Sequence, residues 1–87
     1  MPSREIIREH EFEEQFAALV PNAEEADAYI LGAEFVLARE PHAGLPASKD
    51  GVVWALPMMP LRDRAVTVYY RFDERTVTLL WIVAFED

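Results

Sequence analysis

Cysteine is absent from this 87-residue chain. A disulfide framework and a thiolate metal site are therefore excluded, and the absence suits a reducing cytosol. No uncharged stretch is longer than Gly51 to Leu61, which is too short to cross a bilayer. The N-terminal residues also lack the apolar segment of a signal peptide, so we expect a soluble cytoplasmic protein with no membrane partner.

Positive charge is scarce. The chain has 8 Lys and Arg residues against 16 Asp and Glu residues, which gives a net charge of -8. Residues 1–40 hold ten acids and three bases, whereas residues 41–87 hold six acids and five bases. Because nucleic-acid affinity depends largely on Lys and Arg displacing counterions, this balance argues against nucleic acid as a direct partner. The acidic half is interpreted as a solvated helix surface or, alternatively, as a docking surface for a basic partner.

The residue patterns of common catalytic and metal sites are also missing. There is no Gly-rich phosphate loop and no Ser-His-Asp or Cys-His constellation. Neither His10 nor His42 has a second ligand at a metal-binding offset. We therefore expect no metal and no cofactor.

The apolar pattern predicts one domain over residues 1–87, beginning with a strand and two helices. Residues 3–9 fit a short edge strand or the start of a helix, and the strand is preferred. Helical periodicity starts at Glu11 and ends at Pro21, and Asn22 is a plausible N-cap for a second helix that stops before Pro41. The two helices should form an antiparallel hairpin. Gly32 is expected on the side where they approach each other.

The rest of the chain predicts a sheet. Residues 41–51 are expected to form a loop because they are rich in Pro, Gly, Ser and Asp, and residues 52–56 a short strand. Two longer strands near 65–72 and 76–85 complete a hairpin. The predicted fold class is α+β, with an N-terminal strand and a two-helix hairpin packed on a mostly antiparallel sheet of about four strands.

The hairpin alternates between two faces. A four-residue loop at 72–75 pairs Arg71 with Thr76 and Tyr69 with Thr78, which matches polar to polar residues. The polar face then contains Thr67, Tyr69 and Arg71, while the core face gains Val77, Leu79 and Trp81. Near its end the last strand is apolar on both sides, which is typical of a central or covered strand. Burial against the first strand is one interpretation; a partner interface or homodimer through Leu80, Ile82 and Phe85 is the other.

Four segments in this order resemble the RelE/ParE superfamily of bacterial toxin–antitoxin toxins. "REIIREHEFEEQFAAL" is similar to the first strand and helix of that family, and "LAREPHAG" to its helix end and Pro-x-x-Gly loop. "GVVWALPM" corresponds to the next strand, and "VTVYYRFDERTVTLLWIVAF" to the paired last strands. The resemblance implies an antitoxin partner and, depending on the subgroup, DNA gyrase or the ribosome as target.

The chain departs from the members of that family that cut messenger RNA. Those members carry basic side chains on the open sheet face, and the resemblance places such positions at or near Thr67 and on Glu86 and Asp87. These residues do not supply the positive charge that a scissile phosphate needs. Arg62, Arg64 and Arg71 are left as candidate phosphate contacts, with Tyr69 beside Arg71 for base stacking.

Three functions follow from this comparison. The first is a toxin, or toxin-derived protein, that acts through protein contact and is neutralised by an antitoxin lying on the helical hairpin and the sheet edge. The second is a ribosome-dependent mRNA endoribonuclease that uses the remaining arginines. The third is an inactive binding or homodimerising module. The acidity of the chain favours the first function over the second.

Overall fold

Two helices cover one face of a five-stranded sheet in the computed structural model, which describes residues 3–86. The elements are β1 (Glu5–Arg8), α1 (His10–Leu19), α2 (Ala23–Arg39), β2 (Leu45–Pro46), β3 (Trp54–Pro57), β4 (Arg64–Phe72) and β5 (Thr76–Glu86). The strand order is β1-β5-β4-β3-β2; β1 runs parallel to β5 and all other neighbours are antiparallel. The predicted α+β class is confirmed. The additional strand is β2, in the segment predicted to be a loop, which also contains a short 3-10 helix at Pro41–Ala43.

The helices begin and end close to the predicted residues. The Asn22 side chain accepts a hydrogen bond from the Glu25 amide at 2.9 Å, so the predicted N-cap is confirmed. In α1, Phe12 and Phe16 are buried against the sheet. Neither helix within residues 3–86 is long and apolar enough to span a membrane.

The core lies between the helices and the face of the sheet that they cover, which we call the helix-side face. Its largest fully buried side chain is Tyr70, whose hydroxyl donates to the Pro41 carbonyl at 2.5 Å and accepts from the Gly44 amide at 3.2 Å. A Cβ atom on Gly44 would lie 2.5 Å from the Ala55 carbonyl oxygen. Gly44 is therefore the glycine that permits close approach. The prediction for Gly32 is wrong: α2 turns Ile30 and other residues toward the core and leaves Gly32 exposed, with no atom within 4 Å of a Cβ added there.

The predicted hairpin register is wrong by two residues. Arg71 pairs with Thr78, and Phe72 pairs with Val77. The turn between the strands, at residues 73–75, is stabilised by the Asp73 carboxylate, which accepts hydrogen bonds from the Arg75 and Thr76 amides, both at 2.8 Å. Since side chains alternate with a period of two, a shift of two residues leaves Thr78 on the same face as Tyr69 and Arg71, as predicted.

A bulge at Leu80 exchanges the two faces of β5. Tyr70 lies opposite Leu79 and Tyr69 lies opposite Trp81, so Leu80 has no partner on β4. Beyond the bulge, Ile82 points into the core and is 4% exposed, whereas Trp81 is 37% exposed on the opposite, open face. The prediction that Trp81 joins the core is therefore wrong.

The outer edge of β5 is covered in two different ways. β1 pairs only with Thr76–Leu79. Beyond Leu79, α1 covers the edge of β5. There the Ile82 amide donates a hydrogen bond to the Gln15 side-chain oxygen at 3.0 Å. The predicted placement of the first strand beside the last is confirmed for the first part of β5.

Candidate protein-binding surfaces

Of the three arginines predicted to contact phosphate, Arg62 and Arg64 line one pocket, and Arg71 lies far from it. Arg64 and Arg71 are on β4, seven residues from each other, or about 23 Å at about 3.3 Å per residue. The alternation places Arg71 on the open face with Thr67 and Tyr69, and Arg64 on the helix-side face near Leu19. The five residues predicted as one open-face site are thus divided between two faces.

Carboxylates lie near two of these arginines. A guanidinium nitrogen of Arg71 is 3.8 Å from a Glu9 oxygen, and one of Arg64 is 3.5 Å from a Glu86 oxygen. Arg62 lies in the turn before β4 with φ of 58°, in the left-handed region. Asp87 is outside the described residues. The structure therefore does not bring the three arginines together around one anion.

The open face instead carries an aromatic pair. The ring centroids of Tyr69 and Trp81 are 6.3 Å apart at an interplanar angle of 62°, and the Trp81 indole nitrogen donates to the Glu11 carboxylate at 3.3 Å. These rings form part of a cleft of about 420 Å³. We call it the open-face cleft; it is lined by Gln15, Ala47, Ser48, Val53, Tyr69, Trp81 and Val83.

Sequence reasoning missed most of this cleft. Strict alternation placed Trp81 in the core, and Glu11 looked like an ordinary helix-surface acid. One feature of the sequence does indicate an irregular strand. The residues from Leu79 to Ile82 are four large apolar residues in a row, and strict two-residue alternation cannot place all four on the core face. Nothing in the local pattern indicates that the loop residues Ala47 and Val53 line one cleft with residues of β5.

A second, larger groove lies between α2 and the segment that follows β3. We call it the α2–β3 groove; its volume is about 720 Å³ and it is lined by Glu25, Ala28, Tyr29, Gly32, Ala33, Val36, Leu56, Pro57, Met58, Met59 and Leu61. The Tyr29 hydroxyl donates to the Met59 carbonyl and holds this segment against α2. Burial raises the pKa of the Tyr29 phenol. The Met59 side chain, by contrast, is 79% exposed at the rim.

The three residues predicted as a partner interface do not share one surface. Ile82 is in the core, and no partner can reach it in this fold. Leu80 is half-buried at the bulge. Phe85 is 53% exposed on the open face, so it is the accessible member of the three. The cause is again the bulge at Leu80, because it exchanges the faces on which the later side chains of β5 lie.

The histidines are placed in ordinary structural contacts. The His42 ring packs edge-to-face on Phe72 and Trp54, with centroid distances of 4.9 and 5.2 Å. His10 lies 2.7 Å from Glu14 one helical turn later. Among residues 3–86 there is no group of three His, Cys, Asp or Glu side chains that could hold a metal ion.

Comparison with known proteins identifies a similar fold. No family model matches the chain, and no curated protein sequence matches it significantly. Among solved structures, a chain of the RelBE2 toxin–antitoxin complex from Mycobacterium tuberculosis is similar, with 21% identity and a TM-score of 0.73. The match covers 100% of this chain and 97% of that chain. This similarity shows that the chain has the same fold as that protein, a RelE-like fold.

Proposed function

We propose that this chain is the toxin, or a toxin-derived component, of a toxin–antitoxin module, and that an antitoxin segment neutralises it by binding the α2–β3 groove. One observation carries the proposal: the large exposed apolar groove, on a fold shared with a chain of a toxin–antitoxin complex. The groove lies between the helical hairpin and the β3 side of the sheet, where the family resemblance implies an antitoxin.

The groove has the chemistry of a helix-binding site. Apolar side chains line both walls, and an amphipathic helix buries its apolar face in such a groove. Methionine side chains such as Met58 and Met59 adapt to the shape of a partner. Glu25 lies in the groove and Glu24 precedes it, so a partner helix with basic residues along its polar edge would be attracted.

Action through protein contact agrees with the charge distribution. A nuclease of this fold would need converging cations, yet Arg64 and Arg71 lie on opposite faces and each has a carboxylate nearby. Thr67 and Glu86 occupy positions where the resemblance predicts basic residues. The target of the protein contact, DNA gyrase and the ribosome among the candidates, stays part of the proposal.

Toxicity is tested by inducing the chain in bacteria that lack the neighbouring gene. We expect growth arrest while messenger RNA stays intact. Unaltered growth contradicts the toxin proposal and supports an inactive binding or homodimerising module. New codon-positioned 5′ ends, mapped by primer extension on translating ribosomes and lost in Arg71→Ala, contradict action by protein contact and support the endoribonuclease alternative.

The antitoxin site is tested by co-expression with the product of the adjacent reading frame. That product should restore growth. Ala28→Arg, which places a bulky cation in the groove, should abolish the rescue, whereas Ala17→Arg makes the same change on the exposed surface of α1 and should not. Both variants must arrest growth when expressed alone. Equal rescue of the two variants contradicts the α2–β3 groove as the antitoxin site.

A further inference from the structure

We propose that the open-face cleft binds a cationic side chain, Arg or Lys, presented by a protein partner. The inference rests on the proposed function in one respect, namely that the chain acts by protein contact, and it names the chemistry of that contact. It concerns the face opposite to the α2–β3 groove. The partner therefore differs from the segment that occupies the groove, or is a second part of the same chain.

The floor of the cleft is suited to a cation. Tyr69 and Trp81 present ring surface on the open face, and Trp is the aromatic residue that attracts cations most strongly. The Glu11 carboxylate lies at the edge of the Trp81 ring, held by the indole N–H at 3.3 Å. A guanidinium or ammonium group over this pair would contact ring faces and a carboxylate together.

The walls of the cleft suit the remainder of such a side chain. Arg and Lys have aliphatic stems that pack on apolar surface while the charged end stays near water. Val53 and Val83 provide that surface beside the rings. Gln15 forms a fixed wall, because its side-chain oxygen already accepts from the Ile82 amide. The volume of about 420 Å³ falls within the range of about 300–1,000 Å³ that is usual for small-ligand pockets.

The charges around the cleft favour a cation over an anion. Within residues 3–86, Glu11 takes part in no ion pair. On the same face, Arg71 already lies beside Glu9. In the loop that lines the cleft, Lys49 is followed by Asp50, whose carboxylate accepts a hydrogen bond from the Ser48 hydroxyl. The acids named here, Glu9, Glu11 and Asp50, outnumber Arg71 and Lys49 by one, so the local charge favours a cation.

The bulge at Leu80 creates this site. With uniform alternation along β5, Trp81 would point into the core and the open face opposite Tyr69 would carry an aliphatic residue. Bulges commonly re-aim a side chain at a functional surface. The aromatic pair and its carboxylate therefore depend on one extra residue in the strand.

A peptide titration tests the proposal on the isolated chain. The probes are acetyl-Leu-Arg-Leu-amide and acetyl-Leu-Gln-Leu-amide, and the readout is the indole N–H resonance of Trp81 in a ¹⁵N-labelled sample. Trp54 is an internal control, since its indole donates to the Gly51 carbonyl at 3.1 Å and lies outside the cleft. We expect the Arg peptide to shift the Trp81 resonance at lower concentration than the Gln peptide, with little change at Trp54.

Two charge-matched variants sharpen the test. Glu11→Gln should weaken binding of the Arg peptide about 2- to 5-fold, the loss expected for one exposed ion pair. Glu74→Gln makes the same change in the exposed turn between β4 and β5, away from the cleft and the groove, and should leave binding unchanged. Equal binding of the two peptides, an unmoved Trp81 resonance, or equal losses in the two variants overturns the proposal. Because these outcomes are read without a growth assay, they are separate from a failure of the toxin proposal.

Discussion

Trp81 lies opposite Tyr69 on the open face of the sheet, although Leu79, two residues earlier, lies opposite Tyr70 on the helix-side face. The pairing skips Leu80, and this single skipped residue decides which side chains at the end of β5 stabilise the core and which remain accessible. Its consequences for stability can be measured directly.

The bulge predicts a large difference between two neighbouring substitutions. Ile82→Ala removes a core side chain and should lower the free energy of unfolding by about 2–5 kcal/mol. Trp81→Ala removes a larger but half-exposed side chain and should cost clearly less. Urea denaturation of both variants measures the difference. A greater loss for Trp81→Ala would contradict the bulge and support uniform alternation.

Two glycines should respond to alanine with opposite signs. Gly44→Ala forces a Cβ to within 2.5 Å of the Ala55 carbonyl and 2.6 Å of the Tyr70 hydroxyl, so it should destabilise the protein by about 1–3 kcal/mol or more. Gly32→Ala meets nothing within 4 Å in the middle of α2 and should stabilise it by about 0.5–1 kcal/mol. Thermal unfolding of both variants tests the pair. Destabilisation by Gly32→Ala would contradict the exposed position of this residue.

The β4–β5 turn predicts a pH dependence. Hydrogen bonds from the Arg75 and Thr76 amides lower the pKa of the Asp73 carboxyl group below its ordinary value of about 3.9. A carboxyl group whose pKa is lower in the folded state stabilises the fold above about pH 4, and that stabilisation is lost as the pH falls through the folded pKa. Asp73→Asn should therefore be less stable than wild type at neutral pH and approach it at low pH.

Urea denaturation between pH 2 and pH 7 measures this convergence. Glu74→Gln is the matched control, because within residues 3–86 Glu74 accepts no hydrogen bond in the turn. Its free energy of unfolding should differ from that of wild type by a smaller amount. A constant difference between Asp73→Asn and wild type at all pH values would contradict the role of the Asp73 carboxylate.

The ion pair between β1 and α2 should contribute to stability. Arg8 donates two hydrogen bonds to Glu34, at 2.8 and 2.9 Å, and both side chains are partly buried. These contacts raise the pKa of Arg8, with the Glu34 hydrogen bond as the largest cause. Glu34→Gln should lower the free energy of unfolding by about 1–2 kcal/mol.

An exposed ion pair provides the comparison. Glu14→Gln removes the partner of His10 at the surface of α1 and should cost less than about 0.5 kcal/mol. Denaturation of Glu34→Gln and Glu14→Gln under the same conditions ranks the two pairs. An equal or larger loss for Glu14→Gln would show that the β1–α2 ion pair does not contribute as proposed.

Local patterns predicted most of the fold. The spacing of Phe12 and Phe16, the cap at Asn22 and the breaks at Pro21 and Pro41 were sufficient to place both helices. The alternation along β4 correctly separated the buried side chains from those of the open face. These features depend on neighbours within four residues or on a two-residue period, so the sequence displays them directly.

The two candidate surfaces could not be predicted in the same way. The sequence contains Arg64 and Arg71 but cannot show that they lie on opposite faces of β4, about 23 Å apart. Val36 and Met59 line the α2–β3 groove together, and Gln15, Val53 and Trp81 line the open-face cleft together. Each depends on contacts between residues that are distant along the chain.

The amino-acid pattern accounts for the acidity, the absence of thiol chemistry, both helices and the choice of an α+β fold, since these follow from composition and short-range periodicity. The register of the last hairpin, the bulge at Leu80 and the two surfaces follow from packing across the sheet. There the Asp73 hydrogen bonds stabilise the turn of the observed register, and burial of Ile82 requires the face of β5 to change. The free energies of those contacts decide between arrangements that the local pattern leaves nearly equal, which is why Trp81 is available on the open face.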